Sequence, residues 1–205
     1  FLHLVERLGI PSDGRRTEFV PAKDASTELE KLFSGAGISV KEPYAVVHAG
    51  GNWNLKRWPS EYFSQWIYLF LEQYGGKVIL CGTSGEEAIA KKILSKFSDG
   101  RVVSFCGKTS LDALALLLKG AKLFLSNDSG PIHLAASQKT RLIGLFGPTS
   151  AAETGPVSEG LVKILQIDVG CRVPCYFESC NYRVCMDFLL PKEVFRQTQI
   201  FMNTP

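Results

Sequence analysis

Apolar residues along this chain follow two patterns that alternate from about residue 44 onwards. Short runs of Val, Ile, Leu and Phe predict buried strands at 44–49, 77–82, 101–107, 122–127 and 141–147, and a weaker run predicts another at 161–167. Apolar residues at helical spacing predict helices at 59–76, 85–97, 110–121, 130–138 and 191–202. Strands that are apolar on both faces and alternate with helices are typical of an α/β fold, a doubly wound parallel sheet with helices on both faces.

The first 40 residues do not follow this alternation. Residues 1–9 are predicted to be the end of a helix that Gly9 and Pro11 stop, a short strand is predicted at 17–20, and an acidic helix at about 24–32. The chain shows no repeat, low-complexity tract or linker that would divide it. We therefore expect residues 1–205 to form one domain, with residues 1–40 as a lead-in segment.

Polar and glycine-rich loops follow the predicted strands. In chain order they are HAGGNWNLKRWP, CGTSGEE, CGKTS, SNDSGPIH and FGPTSAAET. In open parallel sheets, ligands bind outside the carboxyl ends of the strands, so we expect these loops to meet at one edge of the sheet. Surface loops are commonly polar, and it is the shared position of all five that predicts a binding site.

The stretch SNDSGPIH carries the strongest chemical signal. Gly130 and Pro131 open a predicted helix, whose free N–H groups and positive dipole end suit a phosphate. Lys56 would add a mobile positive charge, and Gly50 and Gly51 would let the backbone approach an anion closely. Asp128 would repel a phosphate unless it accepts hydrogen bonds, which sugar hydroxyls supply. The combination predicts a site for a nucleotide sugar.

Ordinary structural roles are alternatives for the same residues. Asp128 can be interpreted as a cap of the following helix, and His133, a lone histidine on a short apolar helix, as a core residue. Lys56 can be interpreted as part of the solvated surface. Glu86 and Glu87 can be interpreted as the acid-rich first turn of a helix.

Sequence signatures of other functions are absent from the chain. There is no G-x-S-x-G elbow around Ser129, so Asp128, Ser129 and His133 do not fit a hydrolase triad. No G-x-G-x-x-G follows the first predicted strand, and no G-x-x-x-x-G-K-[ST] occurs. A dinucleotide fingerprint and a P-loop are therefore both excluded.

Composition narrows the function classes further. The 205 residues are 45% hydrophobic and 21% charged with a net charge of only +3, which is typical of a globular domain. No Lys/Arg block marks a nucleic-acid-binding face, and no apolar run reaches the roughly 18 residues of a membrane span. Without a signal peptide at the N-terminus, we expect a cytoplasmic protein. Because Phe1 is not Met, we also expect a piece of a longer chain.

Four stretches together resemble one known family. They are VVHAGGNWNLKRWPSEYF, VILCGTSGEE, FCGKTSLDALALLLKGAKLFLSNDSGPIHLAA and IGLFGPTS, with KRWP, GKTSL and NDSGPxH as the specific motifs. In this order they resemble the bacterial heptosyltransferases of lipopolysaccharide core assembly, glycosyltransferase family 9. The resemblance implies an enzyme of two Rossmann-like domains in the GT-B arrangement. This chain matches only the C-terminal, donor-binding half, which follows an N-terminal domain that it does not contain.

The resemblance also implies a donor contact for each matching residue. The diphosphate would be contacted by Gly51, Asn52, Lys56 and Gly130 with its neighbour Ser129, and the ribose by Glu86 or Glu87. The adenine would lie against Thr109 and Leu111, in a stretch that also holds Lys108. Asp128 would bind the transferred sugar, and His133 would support its loop or approach the phosphate. A mobile lysine and helix N-termini would neutralise the diphosphate, so the resemblance implies no catalytic metal and no cofactor.

The implied reaction is the inverting transfer of heptose from ADP-heptose to a lipopolysaccharide core acceptor. The family's general base, an Asp, and its acceptor site belong to the N-terminal domain. We therefore expect this chain to hold no catalytic residue, to bind the donor and not to transfer sugar alone. Contact with the inner membrane would be peripheral, at its cytoplasmic face.

Six cysteines fall into two groups. Cys81 and Cys106 lie at strand ends and are expected to act as small apolar residues. The other four are Cys171, Cys175, Cys180 and Cys185. Three, four and four residues separate them, whereas most zinc sites use C-x-x-C spacing. Structural thiols, a disulfide pair and a metal site are all open for this cluster.

Three functions are compatible with these observations. The donor-binding part of a glycosyltransferase accounts for all the loop motifs. A non-catalytic nucleotide or nucleotide-sugar binding module would keep the same site and lack turnover, and an interaction domain would use the cysteine loop as its surface. A second Rossmann-like domain with an early Asp, upstream of Phe1, would favour the enzyme.

Overall fold

The centre of the molecule is one parallel sheet of six strands. The computed structural model describes residues 2–11, 17–39, 41–158, 160–177 and 179–204. The strands are β1 (Tyr44–His48), β2 (Lys77–Leu80), β3 (Val102–Ser104), β4 (Leu123–Asn127), β5 (Leu142–Phe146) and β6 (Val162–Gln166). Their order is β3-β2-β1-β4-β5-β6, and every neighbouring pair is parallel. The doubly wound α/β fold predicted from the alternating pattern is confirmed.

Helices connect the strands and precede the sheet. They are α1 (Leu2–Arg7), α2 (Ala25–Gly35), α3 (Ser60–Tyr74), α4 (Glu87–Leu94), α5 (Leu111–Gly120), α6 (Gly130–Ser137), α7 (Ala151–Thr154), α8 (Val184–Asp187) and α9 (Pro191–Met202). Short 3-10 turns at Asn54–Lys56 and Ser84–Glu86 lie just before α3 and α4. Across the ranges that the structure describes, no helix combines the length and apolar character needed to cross a membrane.

Hydrophobic cores lie on both faces of the sheet. On one face, Phe63 and Trp66 of α3 pack with residues of α4 and α9. On the other face, Phe33 of α2 and Leu117 of α5 pack against Phe124 of β4. Strands β1, β4 and β5 are buried along their whole length. Because both faces are covered, successive residues of these strands are apolar, which is why runs rather than alternation predict them.

The direction of winding reverses between β1 and β4, which are neighbours in the sheet although two strands separate them in sequence. At such a point the loops that leave the two strands diverge and a crevice opens at their carboxyl ends. The loop after β1 carries Lys56, and the loop after β4 carries Asp128. The fold therefore places the two strongest predicted site residues on opposite sides of one crevice.

The lead-in segment differs most from prediction. The strand predicted at 17–20 is wrong, because these residues join no strand of the sheet, and the carbonyl of Phe19 accepts a hydrogen bond from the Gln138 side chain instead. The segment pairs with neither edge strand of the sheet, β3 or β6. Helix α2 also continues to Gly35, beyond the predicted end near residue 32. Phe1, residues 12–16 and Val40 of the predicted segment lie outside the described residues.

Candidate functional site

A cleft of about 780 Å³ opens at the C-terminal edge of the sheet. The predicted site residues that line it are Gly51, Asn52, Lys56, Glu86, Thr109, Leu111, Asp128, Ser129, Gly130 and His133. Thr154, which ends both the predicted loop FGPTSAAET and helix α7, lines it as well. All five polar loops therefore contribute to one cleft, as their positions in the sequence predict.

An ion pair joins two of these loops across the crevice. Lys56 Nζ lies 2.8 Å from Asp128 Oδ2, although 72 positions separate the two residues in sequence. The Asp128 side chain is 5% exposed and that of Lys56 is 24% exposed, so the pair meets solvent from the lysine side. The same oxygen, Oδ2, accepts a hydrogen bond from Thr149 Oγ1 at 2.6 Å. Two donors on one oxygen hold the carboxylate in place.

The first turn of α6 faces the same cleft. The capping interpretation of Asp128 is wrong, because Ser129 is the N-cap residue of α6 and no side chain there accepts a hydrogen bond from the helix backbone. A Cβ added to Gly130 would meet nothing within 4 Å, so the N-terminus of the helix opens to the cleft. His133 is exposed and lines the cleft, so its interpretation as a core residue is also wrong.

Asn127, the last residue of β4, fixes the loop after β1. Its Nδ2 donates to the carbonyls of Ala49 at 3.0 Å and Gly50 at 2.9 Å, and its Oδ1 accepts from Trp58 N at 3.0 Å. Asn127 is fully buried, and an amide buried without such partners would be costly. The loop that carries Lys56 is thus tied to β4 before and after the lysine.

Glu86 holds three backbone segments together. Its Oε1 accepts from Gly51 N at 2.7 Å and lies 3.3 Å from His48 Nε2, while Oε2 accepts from Thr83 N at 2.7 Å and Thr83 Oγ1 at 3.0 Å. The hydrogen bond from His48 lowers the pKa of Glu86 to about 2, helped by the bonds from Thr83 and opposed by desolvation. Glu86 is therefore a carboxylate with two donors at each oxygen.

His48 is a residue of the cleft that sequence reasoning misses. It is 2% exposed, and while its Nε2 faces Glu86, its Nδ1 lies 3.0 Å from Ser129 Oγ. The ring thus links the loop after β2 to the start of α6. The sequence signal is weak: a single polar residue ends an otherwise apolar strand, just before a Gly-Gly loop.

Gly50 is required by the closeness of Glu86, since a Cβ on Gly50 would lie 1.7 Å from Glu86 Oε1. We expect Gly50→Ala to displace this carboxylate and to lower the free energy of unfolding by about 1–3 kcal/mol, the usual cost of overpacking. Urea denaturation measures the change. Gly35→Ala is the control, because a Cβ there, in α2, meets nothing within 4 Å. Wild-type stability of Gly50→Ala would contradict this packing.

The loop after β3 and the start of α5 bring apolar side chains to the cleft. Leu111, which is 59% exposed, lies there with Leu114 and Thr109. Gly107, with φ of +69°, brings the loops after β2 and β3 together, and a Cβ there would lie 3.0 Å from Ser84 Cα. An exposed leucine beside these close-packed loops offers apolar surface of the kind that binds a nucleobase.

Glu87 and Lys108 face other surfaces of the molecule. Glu87 begins α4 and pairs with exposed Lys91 at 3.1 Å, which agrees with its interpretation as an acid in the first turn of a helix. Lys108 lies in a separate surface groove together with Lys31 of α2. Neither side chain lines the cleft, so their predicted contacts with a donor receive no support from this geometry.

The cysteine cluster lines a second cavity, of about 370 Å³, beside the turn that carries Lys56. Its members are Cys171, Cys175, Cys180 and Cys185. All six cysteines of the chain are free thiols, and Cys81 and Cys106 are buried as predicted. In the part of the chain that is described, no group of three or more His, Cys, Asp or Glu side chains is placed to hold a metal ion. The four cysteines, which lie close together in sequence, therefore also line one cavity in the fold.

Arg183 connects the cysteine loop to the Lys56 turn. Its guanidinium donates to the carbonyls of Asn54 at 3.1 Å and Arg57 at 3.2 Å. Trp58 Nε1 adds a bond to the carbonyl of Leu189 at 2.7 Å. The segment after β6 therefore supports the loop after β1 through residues that do not line the cleft.

Comparison with known proteins identifies relatives of this chain. The family model described as glycosyltransferase family 9 (heptosyltransferase) matches residues 3–182. The chain is 30% identical over 148 residues to lipooligosaccharide heptosyltransferase 2 of Campylobacter jejuni. The aligned region covers 70% of this chain and 46% of that protein. The chain spans about half the length of the curated relatives that it matches.

Solved structures share the fold. A glycosyl transferase family 9 structure from Veillonella parvula matches with a TM-score of 0.83 and 20% identity, over 98% of this chain and 58% of that one. An E. coli heptosyltransferase with ADP-2-deoxy-2-fluoro heptose matches with a TM-score of 0.63 and 23% identity, over 96% of this chain and 52% of that one. The Rossmann-like sheet is common to them. Because the family model spans most of a chain whose five loop motifs also build one cleft, the chain belongs to glycosyltransferase family 9, the heptosyltransferases.

Proposed function

We propose that this chain is the donor-binding half of an inverting glycosyltransferase that moves heptose from ADP-heptose to a lipopolysaccharide core acceptor. The observation that carries the proposal is that Lys56, the start of α6 and Asp128 line one cleft. A cation and free backbone N–H groups suit a diphosphate, whereas a carboxylate beside them suits sugar hydroxyls. The names of the relatives and the nucleotide sugar in one similar structure support the same donor.

Stabilisation of the leaving group is the catalytic contribution proposed for this half. In inverting transfer, the acceptor hydroxyl attacks the anomeric carbon while the bond to the diphosphate oxygen breaks, and negative charge develops on ADP. Lys56 lines the cleft, and its flexible stem would let Nζ move from Asp128 toward this charge. The N-terminus of α6 adds backbone donors, and both act most strongly as the charge develops.

Asp128 is proposed to recognise the transferred sugar. Its Oδ2 accepts from Lys56 and Thr149, while Oδ1 accepts no hydrogen bond from the described residues. A carboxylate oxygen with free lone pairs is a strong acceptor for sugar hydroxyls. The adenine would lie against Leu111 and Thr109, at the far end of the diphosphate.

The rest of the full-length protein would complete the enzyme. The base that deprotonates the acceptor, and the acceptor site, are proposed to lie outside a chain that spans about half of its relatives. No cofactor enters the proposed reaction. Since the acceptor is a lipid, the enzyme would work in the cytoplasm at the face of the inner membrane.

Isothermal titration calorimetry tests this donor preference. We expect ADP-heptose to bind about tenfold more tightly than ADP, because hydrogen bonds to Asp128 add to the contacts with the nucleotide. ADP should in turn bind more tightly than UDP or a UDP-sugar. No heat with any of them, together with an unchanged thermal midpoint, would contradict the donor site. Binding of ADP with no gain from the heptose would favour a non-catalytic nucleotide-binding module.

A further inference from the structure

We infer that Thr149 is a positioning residue that orients Asp128 toward the donor sugar, an inference that rests on the proposed function. Thr149 is 7% exposed and does not line the cleft. Its Oγ1 donates to Asp128 Oδ2 at 2.6 Å. Because its hydroxyl is directed at Asp128 rather than at the cleft, its effect on a bound ligand would pass through that carboxylate.

Lys56, the other donor to Asp128 Oδ2, has a competing partner when a donor substrate binds. Its ammonium is a compact charge on a flexible stem, and it lies 2.8 Å from Oδ2 in the unliganded cleft. A diphosphate carries more negative charge than one carboxylate and would draw the ammonium toward itself. Thr149 then remains as the group that restrains the carboxylate.

Rotation of Asp128 matters because its two oxygens are not equivalent. Oδ1 accepts no hydrogen bond from the part of the protein described, whereas Oδ2 accepts two. Every fully buried side-chain nitrogen or oxygen in the described ranges has a partner, so Oδ1 is not sealed from solvent and faces the cleft. With Oδ2 held by Thr149, Oδ1 keeps one direction toward the sugar. Because the carboxylate is already in its binding orientation, ligand binding does not have to pay the conformational entropy of immobilising it.

Both ends of this hydrogen bond are anchored to the sheet. Gln166, the last residue of β6, donates from Nε2 to the carbonyls of Thr149 at 2.8 Å and Gly147 at 3.0 Å. Asp128 N donates to the carbonyl of Leu145 at 3.0 Å. The hydroxyl and the carboxylate are thus both fixed relative to the end of β5. A substitution that removes the Thr149 hydroxyl therefore directly affects the orientation of the Asp128 carboxylate.

Calorimetry of two Thr149 variants with ADP and with ADP-heptose tests the inference. Thr149→Val replaces the hydroxyl by a methyl group of similar size, and Thr149→Ser keeps the hydroxyl. We expect Thr149→Val to lose about tenfold in affinity for ADP-heptose and less than about threefold for ADP, so that the preference for the sugar-bearing ligand falls. Thr149→Ser should retain the wild-type preference.

Thr140→Val is the matched control. Thr140 is also buried, at 3% exposure, and its Oγ1 donates to the carbonyl of Leu118 at 2.9 Å, away from the cleft. A purely structural role would lower the thermal midpoint in both valine variants and leave the ratio of the two affinities unchanged. A wild-type ratio in Thr149→Val would overturn the positioning role. If the wild type itself shows no preference for ADP-heptose over ADP, the proposed function fails and the inference with it.

Discussion

Lys56→Met should weaken the binding of ADP by about tenfold to a hundredfold, the range for losing a charged hydrogen bond. Methionine keeps the apolar stem and removes only the charge. The loss also leaves Asp128, 5% exposed, beside the diphosphate with Thr149 as its neutral partner, so repulsion adds to the lost attraction. Isothermal titration calorimetry with ADP measures the change.

Asp128→Asn in the Lys56→Met background separates repulsion from lost attraction. The neutral amide cannot repel a diphosphate, so the double variant should recover part of the ADP affinity, which a double-mutant cycle detects as coupling. No recovery would contradict the placement of the diphosphate next to Asp128. Circular dichroism of each variant confirms that the fold is retained.

Lys108→Met provides the comparison for Lys56→Met. The sequence marks both lysines as candidates, but Lys108 lies in a different surface groove. We therefore expect its ADP affinity to stay within about twofold of wild type, since an exposed charge at a distance is screened by salt. An equal loss in both variants would point to general attraction by the positive surface and would contradict the cleft as the binding site.

Glu86→Gln should lower the free energy of unfolding by about 2–3 kcal/mol at neutral pH. Each oxygen of Glu86 faces two hydrogen-bond donors. In a glutamine, the amide NH2 group replaces one of these oxygens and would face two other donors, which cannot accept a hydrogen bond from it. The fall in the pKa of Glu86 from 4.5 to about 2 corresponds to about 3 kcal/mol of preference of the folded state for the carboxylate. Urea denaturation measures the loss.

The pH dependence of this loss follows from the direction of the pKa shift. Because the pKa of Glu86 is lower in the folded state, its stabilisation is complete above 4.5 and disappears as the pH falls from there toward about 2. The difference in stability between wild type and Glu86→Gln should therefore narrow from about pH 5 to about pH 3. A constant difference over that range would contradict the assignment of the low pKa to Glu86.

Glu87→Gln is the matched control for Glu86→Gln. Glu87 is the next residue, its side chain is 45% exposed, and it pairs with Lys91 at i,i+4 on the surface of α4. Such pairs contribute only about 0.5 kcal/mol or less. A loss in Glu87→Gln as large as that in Glu86→Gln would show that the hydrogen bonds of Glu86 to the cleft loops are not the cause.

Apolar runs suffice to predict the sheet because burial on both faces leaves few other residue types available. Each strand lies within its predicted run, from β1 (Tyr44–His48) within 44–49 to β6 (Val162–Gln166) within 161–167. The same rule fails at 17–20, where the backbone of Phe19 meets a side chain of the α6 end rather than a strand. Pairing depends on which segments become neighbours, and a local pattern does not contain that information.

The position of the cleft is predicted from the loops in the sequence, whereas the contacts between residues inside the cleft are not. Lys56 and Asp128 are each visible in the sequence, whereas the bond between them spans 72 positions. Thr149 is one threonine in a polar loop, and His48 ends an apolar strand, so neither has a distinctive local pattern. Their roles come from strands β1, β4 and β5 lying side by side.

Burial, periodicity and backbone chemistry are readable in the sequence, and they determine the parallel sheet, the edge at which its loops meet and most residue types of the cleft. The choice between Glu86 and Glu87 is different, because both are acids at the start of one predicted helix. Glu86 ends a 3-10 turn and faces His48, whereas Glu87 begins α4 and faces water. Successive helical residues point about 100° apart, so the direction in which α4 leaves the sheet decides which carboxylate enters the site.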